Sequence, residues 1–140
     1  MNDMKQIICV LFLLTGTVAK SQEPWKASQL LAPAVLAEKI QQKAAPVIIS
    51  VGPGAVIPNS VDIGMTGNAA NYEKLKSYLK GTDKNKEIVV YCGCCPFEHC
   101  PNIRPAFTLL NSLGFVNAKL LNLSTNIKTD WINKGYPVNK

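Results

Sequence analysis

Beyond residue 21 the chain has no cysteine before Cys92 and none after Cys100. A disulfide framework spreads its cysteines to staple distant segments, so such a framework does not explain this pattern. Acidic and basic residues together make up only 17 % of the chain, against 47 % hydrophobic, which excludes a solvated, disordered polymer. Internal repeats and low-complexity segments are absent, and the 140 residues suffice for one core but not two. The lysines are scattered, with no basic stretch interleaved with aromatics, so nucleic acid is not an expected partner.

Long apolar runs are also missing, with one exception at the start. Lys5 precedes the apolar run Ile7 to Leu14, and Thr15, Gly16, Thr17, Ala19 and Ser21 follow. That order matches a secretory signal peptide. Cleavage is expected after Ala19 or Ser21, and the run is too short for a spanning helix of about 20 residues. Residues 1–21 are thus read as a signal and 22–140 as one exported domain, periplasmic or secreted, with no membrane span once the signal is removed. Cys9 leaves with the signal. Losing Lys5, Lys20 and Asp3 lowers the net charge from +6 to +5 (thirteen cations against eight carboxylates), a balance suited to anionic small molecules.

What remains reads as alternating helices and strands. Leu36, Ala37 and Ile40 recur at helical spacing behind Pro33. Val47 to Val51, closed by Gly52, Pro53 and Gly54, has the composition of a buried strand. Val61 to Gly64 is a second short strand. Tyr72, Leu75, Tyr78 and Leu79 predict an amphipathic helix ending at Gly81. Glu87 to Tyr91 is the clearest strand, Pro105 to Leu113 the next helix, Ala118 to Leu121 a further strand, and Thr125 to Lys134 a last helix. This alternation predicts an α/β fold with a mainly parallel sheet and helices on both faces. Trp25, Phe107, Phe115 and Trp131 are expected to pack in the core or at its edge.

The chemistry concentrates in one loop. Cys92, Cys94, Cys95 and Cys100 lie within nine residues, directly after the strongest strand, and the only histidine, His99, lies among them. Sites in open parallel sheets form beyond the strand carboxyl ends. Asn102 is the expected N-cap of the following helix, whose N-terminus would favour a thiolate. Arg104 would add a planar fork for an oxyanion. Cys92 is the candidate nucleophile, a disulfide partner or a buried thiol being the other readings. Cys94, Cys95 and Cys100 are candidate relay or resolving thiols, and a resting disulfide from Cys94 or Cys95 to Cys100 is expected in an oxidising compartment. Cys92, Cys94, Cys95, His99 and Cys100 together could instead hold Cu(I) or Zn(II). No Cys-x-x-Cys pair stands at a helix start, which disfavours a redox site of the thioredoxin type. Arg104 otherwise pairs with Asp130 or Asp62, and His99 is otherwise an exposed loop residue.

Val89-Val90-Tyr91-Cys92, followed by Arg104, Ala106, Leu109, Leu113, Gly114 and Phe115, resembles the active-site segment of a rhodanese-like domain. Trp131-x-x-x-Gly135-Tyr136-Pro137-Val138 is similar to that family's terminal signature. Leu31-x-Pro33-x-x-Leu36-Ala37 resembles its opening helix, and Ile57-Pro58-Asn59-Ser60 its His-Ile-Pro-Gly-Ala segment. The resemblance implies a small α/β domain and a sulfurtransferase without cofactor. Its loop cysteine, Cys92, would carry a persulfide, taking sulfur from thiosulfate or another small anionic donor and passing it to a thiol acceptor. It implies Arg104 as the loop arginine. The loop itself departs from the family: eleven residues separate Cys92 from Arg104, and Pro96, Pro101 and Pro105 withhold backbone donors. Ser50-Val51-Gly52 stands where the family has Asp-Val-Arg, and Val56 where it has histidine.

Overall fold

Five short strands, all paired in parallel, organise the computed structural model, which describes residues 22–140. The signal-peptide reading falls on residues 1–21, outside the described residues. Among the described residues no helix is long and apolar enough to cross a membrane.

The strands are β1 (Leu30–Leu31), β2 (Val47–Ser50), β3 (Val61–Asp62), β4 (Ile88–Tyr91) and β5 (Ala118–Leu121). The helices are α1 (Pro33–Gln41), α2 (Ala69–Lys80), α3 (Ile103–Ser112) and α4 (Ile127–Asp130), and single 3₁₀ turns lie at Ala27–Gln29, Phe97–His99 and Ile132–Lys134. The sheet order is β1-β5-β4-β2-β3 and every pairing is parallel. The expected α/β architecture is therefore the observed one.

β4 sits centrally, and all four of its residues are buried. Its side chains alternate between two cores, as the two-residue period of a strand requires. Ile88 and Val90 pack with α2 and α3 through Leu75, Leu79, Phe107 and Leu110. Val89 and Tyr91 pack on the other face with Leu36, Ala37 and Trp131. Helices cover both faces, which is why β4 reads as a continuous apolar run. Trp25, Phe107, Phe115 and Trp131 are all buried, as their apolar bulk predicts.

Some elements differ from their sequence outlines. β1 has only two residues, too short for any periodic signal, and exists because Leu30 and Leu31 pair with Leu120 and Leu121 of β5. α3 begins two residues before Pro105, because proline at the third helical position loses no intrahelical bond. The final helix is broken: α4 stops at Asp130, Trp131 takes φ −129°, and a 3₁₀ turn closes at Gly135, whose φ is +74°.

Candidate functional site

Following β2 the chain crosses to β3 on one side, and following β4 it crosses through α3 to β5 on the other. β2 and β4 are neighbours, so their carboxyl ends bound a topological switch point, where ligand sites form in open parallel sheets. The pairing runs to its very end, with Val51 N–H donating to Tyr91 C=O at 2.9 Å. Cys92 is the next residue. Gly52 crosses it so closely that a Cβ there would overlap the Cys92 carbonyl oxygen. The two loops are thus in backbone contact where they leave the sheet.

Four thiols gather here. Gly93, at φ +86°, turns the chain so that Cys94 Sγ lies 3.2 Å from Cys92 Sγ. A Cβ on Gly93 would also press on Ile127, whose N–H donates to the Gly93 carbonyl at 2.9 Å. Cys95 Sγ lies 3.2 Å from Cys94 Sγ. Cys100 returns at the end of the Phe97–His99 turn, its N–H bonded to Phe97 C=O at 3.3 Å. Phe97 holds that turn down: it is buried, its N–H donates to Leu123 C=O at 3.2 Å, and its ring lies edge-on to Trp25. Cys92 and Cys100 are buried, Cys95 is half-buried and Cys94 is exposed, and all four are free thiols. The disulfide expected from Cys94 or Cys95 to Cys100 is not formed in this structure.

Cys92, Cys94 and Cys100 form one group, their sulfurs all within 4.8 Å of one another. Cys95 and His99 are not part of it. The five-residue ligand set suggested by the sequence reduces to three. Cys94 and Cys95 are adjacent in the chain, and His99 is exposed at the end of a turn whose buried residues are Phe97 and Cys100.

Asn102 occupies the N-cap position of α3 but makes no side-chain capping bond. Its amide works sideways: Oδ1 accepts from Gly67 N–H at 2.8 Å, and Nδ2 donates to Cys92 Sγ at 3.4 Å. Its own carbonyl accepts from Thr66 Oγ1 at 2.5 Å. This buried residue tethers the α2 approach, the α3 start and Cys92 together. The only sequence signal was its cap-type side chain before a helix, which pointed to a different job.

Arg104 is engaged elsewhere. Its guanidinium pairs with Glu23 at 2.7 Å, reaches Glu98 C=O at 3.4 Å, and lies 5.4 Å over the Trp25 ring. Neither Asp130 nor Asp62 is its partner: the Asp130 carboxylate accepts from Thr125 and Asn126 N–H groups. The inward positions of α3 belong to Ile103, Ala106 and Phe107, and a helix turns by about 100° per residue. Position 104 therefore faces the N-terminal segment and makes no hydrogen bond to a thiol.

The electrostatics also reverse an expectation. The N-terminus of the following helix was expected to lower the Cys92 pKa. Instead it is raised far above the ordinary thiol value, first by hydrogen bonding with Cys100 and then by burial. The Cys94 N–H, Asn102 and the Cys94 thiol act in the opposite sense but are outweighed. Cys94 is raised by partial desolvation and by Cys92. Cys95 is raised by partial desolvation and by Cys94. At neutral pH Cys92 therefore keeps its proton, and its sulfur shares a hydrogen bond with Cys94.

Fold and site together define a parallel α/β domain with a thiol cluster at its switch point. No protein-family model matches the chain, and no curated protein matches it.

Proposed function

We propose that the protein is an exported rhodanese-like sulfurtransferase that carries sulfane sulfur as a persulfide on Cys92. The observation that carries the reading is the position of Cys92, the first residue past the central buried strand and at the switch point. Two other segments that resemble the family fold into ordered units. Trp131 Nε1 donates to Pro137 C=O at 2.7 Å and stacks edge-on with Tyr136. Ile57 N–H and Ser60 Oγ both bond the hydroxyl of Tyr91, the residue that precedes Cys92 in the chain.

In the first half-reaction Cys92 first gives its proton to solvent, and the thiolate so formed attacks the outer sulfur of thiosulfate. An S–S bond forms to Cys92, the bond to the sulfonate sulfur breaks, and sulfite leaves with the electron pair. In the second, an acceptor thiolate takes the terminal sulfur and Cys92 thiolate is regenerated. The Cys94 N–H and Asn102 Nδ2 hydrogen-bond the charged form of Cys92. Cys94, exposed and 3.2 Å away, is the thiol best placed to relay sulfur outward. The net positive charge favours an anionic donor. The test is an intact mass of reduced protein after incubation with thiosulfate. A gain of one sulfur atom in wild type, lost in Cys92→Ala, supports the reading. No gain in wild type, or an undiminished gain in Cys92→Ala, removes it.

A thiol–disulfide exchange role on the same fold is the second reading, favoured by the 3.2 Å contact of Cys92 with Cys94. A Cys92–Cys94 couple too reducing to exchange with small disulfides would exclude it.

A further inference from the structure

We propose that Cys92, Cys94 and Cys100 form a three-thiolate binding site for a soft d¹⁰ ion, Cu(I). The sulfurs already lie within 4.8 Å of one another, so one ion can reach all three with little movement of the backbone. Each is held by a different piece of structure. Cys92 is fixed by the end of β4, Cys94 by the positive-φ turn at Gly93, and Cys100 by the turn anchored through Phe97. Two of the sulfurs are buried and the third is exposed, which leaves one open side for the ion to enter.

The donor set selects the metal. It contains only sulfur, and soft thiolates favour Cu(I). Structural zinc is almost always four-coordinate. Cys95 Sγ lies 3.2 Å from Cys94 Sγ but is not within 4.8 Å of all three sulfurs, and His99 is also outside the group. Three sulfurs without a fourth ligand suit Cu(I), which accepts trigonal thiolate coordination. Binding replaces three S–H protons, released to solvent, with three Cu–S bonds. Copper enters as Cu(I), so nothing is oxidised or reduced. Asn102 Nδ2 donates to Cys92 Sγ, the kind of outer contact that steadies a ligand. The inference is independent of sulfur transfer: it needs the three thiols and no persulfide.

The experiment titrates anaerobic, fully reduced protein with Cu(I) against a Cu(I)-specific chromogenic chelator, with ultraviolet thiolate-to-copper absorption as a second readout. The expected result is one Cu(I) per chain withheld from the chelator. Cys94→Ser and Cys100→Ser each weaken binding by more than about a hundredfold, beyond what loss of an outer contact costs. Cys95→Ser and His99→Ala leave it unchanged. Cys94 is exposed, so Cys94→Ser leaves the core intact, and circular dichroism verifies that it is folded. Wild-type retention of Cu(I) by a folded Cys94→Ser, loss of binding in Cys95→Ser or His99→Ala, or zinc that equimolar Cu(I) fails to displace would each overturn the proposal. Failure of persulfide formation with Cu(I) binding intact would remove only the sulfurtransferase reading.

Discussion

The side-chain amide of Asn102 reaches across the loop and donates to the sulfur of Cys92 at 3.4 Å, while its carbonyl oxygen accepts from Gly67. One buried residue thereby joins the reactive strand end to the segment that leads into α2. Asn102→Ala leaves the Gly67 N–H without its partner and removes a donor to Cys92. Stability is expected to fall by about 1–3 kcal/mol, read by chemical denaturation in reductant. Alkylation of Cys92 slows in the same variant, because the thiolate has lost a hydrogen bond. A variant as stable and as reactive as wild type would show that the tether is idle.

Cys100 is the largest influence raising the Cys92 pKa. Cys100→Ala is expected to lower it and to speed Cys92 alkylation at neutral pH, by about tenfold for each pKa unit regained. Mass-resolved alkylation with iodoacetamide measures this site by site. An unchanged or slower Cys92 rate in a folded Cys100→Ala would contradict the assignment.

The raised pKa of Cys92 has a sign-defined consequence for stability. Folded Cys92 keeps its proton where the unfolded thiol, with a pKa of about 8.5, has lost it. The stabilisation is complete below that value and declines as pH rises above it. Cys92 contributes up to about 1.4 kcal/mol of lost stability per pH unit in that range. Urea denaturation in reductant between neutral and alkaline pH measures the slope. Cys92→Ala should flatten it, and an equal slope in both proteins would refute the linkage.

Two glycines of the β2–β3 loop separate backbone overlap from open space. A Cβ at Gly52 would collide with the Cys92 carbonyl, whereas at Gly54 it meets nothing. Gly52→Ala is expected to cost about 3 kcal/mol or more, and Gly54→Ala less than about 0.5 kcal/mol. Thermal unfolding of the pair is the check, and equal effects would place the loop contact elsewhere.

Arg104 is held by Glu23 in a solvent-accessible ion pair. Arg104→Ala is expected to cost less than about 1 kcal/mol and to leave the rate of persulfide formation from thiosulfate unchanged. A large rise in the thiosulfate concentration needed for half-maximal rate would show that Arg104 leaves Glu23 to bind the donor.

The order of elements was legible because β-branched runs and apolar helical spacing are local patterns. Val47 to Ser50 and Ala118 to Leu121 emerged as strands for that reason. The two-residue β1 was not legible, since its pairing partner lies about ninety residues away in β5. The crowding of cysteines after β4 was equally visible, but their distances to one another were not. A loop of this length, with two prolines, has many closures, and Phe97 packing on Trp25 selects one of them.

The sequence by itself determined that this chain is an α/β domain and that its thiols converge on the end of one buried strand. Strand and helix periods are short-range, and a cysteine that follows a strand must emerge at that strand's carboxyl end. Only the tertiary structure decided which thiols touch, that Asn102 serves Cys92 rather than its own helix, and that Arg104 turns away toward Glu23. It also decided the charge state. The Cys100 contact and then burial outweigh the donors around Cys92, and both arise from residues brought together only when the loop closes.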